Sequence, residues 1–149
     1  MGVQWTITDA VRDVVAGVSA FSSATVKAQK RPFFSSDHGH TLPFVSVCPL
    51  KERVDREDMG NIVHMKYPVL VAILHKLGSA LENETELQWQ LDARQAVSDA
   101  LWKTTLSGAS TVYDSDYEPA PAFDLAGMDR MFDVSLQLFT FTSAQPRSV

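Results

Sequence analysis

The chain holds 149 residues, 45% of them hydrophobic and 21% charged, with a net charge of −5. That size suits one domain around one core, and the balance weighs against a disordered chain, a membrane protein and a general nucleic-acid binder. Cys48 is the lone cysteine, so an intramolecular disulfide and a cysteine-rich zinc module are both excluded.

The opening MGVQWT lacks the basic start and apolar block of a signal peptide, and export is not expected. Gly2 and Thr6 fit a loose myristoylation pattern, but no polybasic stretch follows to supply a second membrane signal. From Ile7 to Phe21 the apolar residues Ile7, Val11, Val14, Val15, Val18 and Phe21 recur at helical spacing. Thr6 and Asp9 resemble a capping box at its start. Valine is a modest helix former, so packing must hold this segment helical.

Residues 22–43, SSATVKAQKRPFFSSDHGHTLP, keep no period and read as a long arm with room for one short strand. The arm carries Lys27, Lys30, Arg31, Phe33 and Phe34. The stretch PFVSVCPLKERVD then alternates like a strand, with Pro49 marking an edge or a bulge. The polar block 56–61 supplies turn residues before a second strand, from Ile62 to about Leu74, and the two form an antiparallel hairpin. Its apolar run Val69–Leu74 is far too short to span a bilayer.

The cluster NETE at 83–86 caps a helix that runs to about Leu106, with Leu87, Leu91, Arg94, Val97, Leu101 and Trp102 on one face and Gly108 past its end. The same cluster matches a glycosylation sequon, which a chain without an export signal would not use. A strand fragment and an extended excursion follow in TVYDSDYEPAPAFDLAGMD. Then Phe132, Val134, Leu136 and Leu138 alternate with Asp133, Ser135, Gln137 and Phe139, the clearest β pattern in the chain. Together these elements predict an α+β fold: a mainly antiparallel sheet of about four strands, two helices on one face, and the 22–43 arm. One domain covers 1–142, and residues 143–149 form a flexible tail.

Candidate chemistry is sparse. Asp37, His38 and His40 in SSDHGH have ligand chemistry for zinc or a similar ion, and the two histidines at i and i+2 share one side of an extended chain. No HExxH spacing accompanies them, and a solvent-facing loop tip is the plainer reading. Cys48 lies within an alternating strand, where a thiol is a small buried hydrophobe unless a base activates it. No nucleophile elbow and no phosphate-binding glycine loop occurs. Asp114, Asp116, Glu118, Asp124 and Asp129 lack EF-hand spacing and read as a solvated acidic loop. Lys27, Lys30 and Arg31 beside Phe33 and Phe34 suit either phosphates and bases or, better, a protein neighbour.

In element order and pattern, the chain resembles the small α/β neck and tail-terminator proteins of tailed bacteriophages. KYPVLVAIL (66–74), ELQWQLDARQAVSDALW (86–102), PAPAFDLAGMD (119–129) and DRMFDVSLQLFTF (129–141) carry the likeness. The resemblance implies a non-catalytic virion protein that needs no cofactor. It would assemble in the host cytoplasm into a ring, often a hexamer, between tail-tube and head-connector proteins. It also implies no membrane and no specific nucleic-acid partner. The interface residues expected on this reading are Lys27, Lys30, Arg31, Phe33, Phe34, His38 and His40. A metal-binding protein or metal-dependent enzyme built on Asp37, His38 and His40 is the alternative, and a nucleic-acid module using the basic arm is a third.

Overall fold

The computed structural model describes residues 2–30, 43–58, 60–76, 84–103, 106–118 and 132–146. In chain order these form α1 (Val3–Ala16), a 3-10 turn at Ser19–Phe21, β1 (Thr25–Ala28), β2 (Phe44–Pro49), β3 (Arg53–Asp58), β4 (Ile62–Lys76), α2 (Glu84–Leu101), β5 (Val112–Glu118) and β6 (Phe132–Pro146). The fold is α+β, as the sequence predicts. The sheet, however, has six strands rather than about four, and it is mixed: β1 runs parallel to β2, and every other pair is antiparallel.

The sheet order is β1-β2-β4-β6-β5, with β3 also on β4. β4 and β6 each hold 15 residues and pair along their whole length. At about 3.3 Å per residue this is a ribbon of about 50 Å, too long for one short strand to flank. β2 covers the far half of β4, from Val69 to Leu74, and β3 covers the near half, from Ile62 to Lys66. Two prolines mark the handover. Pro49 ends β2, and the Pro68 carbonyl accepts the Leu50 amide on the β2 side of β4. Since a strand residue's N–H and C=O point to the same side, the amide that Pro68 lacks also faces this gap and costs no bond to β6.

The sequence predicts one strand over 43–55 and a turn over 56–61, but the strand breaks after Pro49 and residues 53–58 form a separate β3. Its composition, RVDRED, conceals the strand because a charged edge strand needs no apolar face. The last strand also runs past the expected boundary at 142. Ser143 is buried, its hydroxyl donates to Thr111 Oγ1 at 2.7 Å, and pairing continues to Ile62 opposite Pro146.

Both helices pack on one face. Ile7, Ala10, Val11, Val15 and Val18 meet Val45, Val47, Val69, Val71, Ile73, Phe139 and Phe141, with Ala93, Val97 and Leu101 from α2. Helix α1 begins one turn before the predicted start because Val3 also packs on this core. Gly2 is the N-cap, and Thr6 donates to the Gly2 carbonyl while Asp9 pairs with Arg12, so no capping box forms. Helix α2 ends at Leu101, earlier than predicted, and Lys103 takes a positive φ of 55° just beyond. Its buried face is also rotated from the expected one. Of that face Arg94, Val97 and Leu101 are buried, but Leu87, Leu91 and Trp102 are exposed, and Gln90 and Ser98 are buried in their stead.

Candidate functional site

Polar Ser135 and Gln137 of β6 lie beneath α2, and apolar Val134, Leu136 and Leu138 line the opposite face. Arg94 accounts for this inversion. Its guanidinium reaches down from α2, with Nη1 donating to Ser135 Oγ at 2.8 Å and the Leu136 carbonyl at 2.6 Å. Nη2 donates to the Tyr117 hydroxyl at 3.3 Å. Gln137 Nε2 donates back to the Arg94 carbonyl at 2.9 Å. Buried polar groups of this kind are stable only when hydrogen-bonded, so the network fixes where α2 sits on the sheet.

The consequence lies on the other face, over which no described helix packs. Phe44, Ala72, Leu74 and Val134 form a second buried cluster there, with Leu136 packed against it. Pro68, Leu70 and Leu138 continue the apolar surface half-buried. Toward the β3 end the face turns polar. His64 Nδ1 lies 2.8 Å from the Tyr113 hydroxyl, and Lys66 pairs with Asp55 at 3.6 Å.

The two outer strands differ in charge. Lys27 on β1 and Lys30 just after it are exposed, on the edge away from β2. At the opposite edge β5 carries Asp114, Asp116 and Glu118, all on the helix-free face. These were expected in a loop; the alternation of YDSDYE instead places Ser115 and Tyr117 inward and the acids outward. The Lys103 ammonium donates to Asp116 at 2.8 Å and to Asp114 at 2.9 Å. These contacts raise the Lys103 pKa and hold the Asp114 carboxyl below its ordinary value.

Of the residues singled out from the sequence, the structure places Lys27 and Lys30 together at the β1 edge. Arg31, Phe33, Phe34, Asp37, His38 and His40 lie outside the described residues, as do Asp124 and Asp129. His64 and His75 stand far apart on β4, and His75 packs on Trp89 at 5.1 Å, with Glu86 3.8 Å away. Among the described residues no group of three or more His, Cys, Asp or Glu is placed to hold a metal ion, and no helix is long and apolar enough to cross a membrane. The β5 acids were visible in the sequence; their position on an outer strand became apparent only once β5 had paired with β6.

Cys48 is buried on β2, and burial pushes its thiol up to about 11. Alkylation at pH 8 should therefore be slower than in the unfolded chain by on the order of 100-fold or more. Timed iodoacetamide labelling with and without urea measures this. Equal rates would mean that β2 opens readily or that the thiol is activated. No protein-family model matches the chain, and no curated protein matches it.

Proposed function

We propose that this chain is a structural subunit of a closed ring, acting at the tail end or head–tail neck of a tailed bacteriophage and carrying out no catalysis. The observation that carries the reading is the asymmetry of the sheet. Helices shield one face, a second and smaller buried apolar cluster lies on the other, and the outer strands bear opposite charge. The element order, which resembles that of neck and tail-terminator proteins, supplies the setting.

A ring of identical subunits needs a heterologous contact, in which one patch meets a different patch on the next copy. Two dissimilar sheet edges satisfy this requirement. The part of the 22–43 arm beyond β1 would add area to the contact, with Phe33 and Phe34 as its apolar anchors and Arg31, His38 and His40 as polar ones. Tail-tube and head-connector proteins would occupy the two ends of the ring.

Sedimentation velocity and negative-stain microscopy test this directly. The expected result is a discrete ring-sized species that weakens when Phe33→Ala and Phe34→Ala are combined. A strictly monomeric protein at high concentration overturns the ring. Stoichiometric zinc or manganese that is lost in His38→Ala would instead favour a metal protein built on Asp37, His38 and His40.

A further inference from the structure

We infer that the ring closes by sheet extension, the β5 edge of one copy pairing antiparallel with the β1 edge of the next, with Glu118 opposite Lys27. This deepens the ring reading and rests on it. Four observations converge on that junction.

The first is direction. With β4 taken as pointing up, β2 and β6 point down, β1 follows β2, and β5 points up. Rotation about an axis along the strands preserves these directions, so an upward β5 meets a downward β1 and the new pair is antiparallel.

The second is backbone availability. The amides of Thr25 and Gln29 donate to Pro43 and Val47 on the β2 side, so the alternate residues Val26 and Ala28 turn their N–H and C=O outward. On β5 the Ser115 amide donates to Asp114 Oδ1 rather than to β6, which identifies Ser115, and with it Tyr117, as the outward-facing set. The Asp114 contact blunts that part of the edge and leaves the Tyr117 end open. Among the described residues nothing pairs with either outer edge.

The third is facing. Lys27 stands opposite Ser46 and shares the helix-free face with Asp114, Asp116 and Glu118. A register with Tyr117 opposite Ala28 makes that pair the hydrogen-bonded one. It sets the large ring of Tyr117 against a small side chain on the helix face. On the other face it sets Glu118 against Lys27 and Asp116 against Gln29. The Gln29 side-chain Oε1 accepts from Ser46 Oγ at 2.7 Å, and its Nε2, which has no partner among the described residues, can donate to Asp116.

The fourth is charge. Among the described residues Lys27, Lys30 and Glu118 form no ion pair, whereas Asp114 and Asp116 of β5 are held by Lys103. Opposite charges placed directly across a ladder stabilise it, and like charges destabilise it. The match requires a stagger of two residues, about 7 Å, between neighbouring sheets. Tilting the strands against the ring axis accommodates such a stagger, as it does in closed barrels.

Charge reversal tests the junction. Lys27→Glu and Glu118→Lys alter exposed positions and should leave the monomer folded by circular dichroism. Each alone should raise the dissociation constant of the ring at least about 10-fold at low salt, and the double variant should recover most of that loss. Ala28→Pro removes an outward amide that β2 does not use, and it should also dissociate the ring. Rings that persist in both single variants and in Ala28→Pro would overturn the edge junction while leaving the ring intact. A wild-type protein that stays monomeric throughout would overturn the ring reading and the junction with it.

Discussion

Phe139→Ala is expected to lower the free energy of unfolding by about 3–5 kcal/mol, measured by urea denaturation. Phe139 is fully buried near the middle of the three-strand register Val69–Phe139–Tyr117, and its ring stacks on Tyr117 at 5.1 Å. Removing the ring would leave a void bounded by two backbones that pair on both sides of β6 and cannot close in. The cost therefore belongs at the upper end of that range. Phe139→Leu should cost much less, because it keeps most of the buried volume. An equal loss in both variants would show that the stack with Tyr117, rather than packing volume, is what matters.

Arg94→Ala should destabilise by about 3 kcal/mol, because it strands buried acceptors rather than opening a simple void. Ser135 Oγ, the Leu136 carbonyl and the Tyr117 hydroxyl all receive donors from one guanidinium fork. Arg94→Lys keeps the charge but not the fork, and it should recover less than half of the loss. Gln137→Met is the useful contrast. The variant removes Oε1, which is buried with no hydrogen-bond partner among the described residues, together with the Nε2 bond to the Arg94 carbonyl; the gain offsets the loss, and stability should change by less than about 1 kcal/mol. A cycle combining Arg94→Ala with Ser135→Ala should give a coupling energy well above experimental error; additivity would overturn the shared network.

Strands whose buried side chains alternate were legible in the sequence. β2 and the core half of β4 could be read because Val45 and Val47 pack beneath α1 and Val69, Val71 and Ile73 continue that surface. β6 could be recognised as a strand, but its faces could not be assigned. Periodicity cannot distinguish a polar residue facing water from one facing a buried arginine. The same ambiguity shifted the face of α2: Arg94 is buried as its spacing predicts, but Gln90 and Ser98 are buried as well and Leu87 and Leu91 are not. β3 was missed for a different reason. Both of its faces are exposed, and its charges serve the edge rather than a core. Of the candidate site, Lys27 and Lys30 were visible as a basic pair and Asp114, Asp116 and Glu118 as an acidic group. Only the sheet order places the two groups on opposite outer strands.

The exchange of partners along β4 at Pro68 also divides the sheet into two halves with unequal support. Beyond the prolines, β2 and the helices clamp the ribbon, so opening that half requires unfolding most of the core. On the near side β3 hangs on five register pairs interrupted by a bulge, and the principal helix contacts go to β1, β2, β4 and β6 rather than to β3. Hydrogen exchange should therefore be faster at the outer amides of β3 than at those of β2. Because β4 and β6 run unbroken through both halves, the near end remains tethered in register throughout. A chain built this way joins a lightly held margin to a well-packed body.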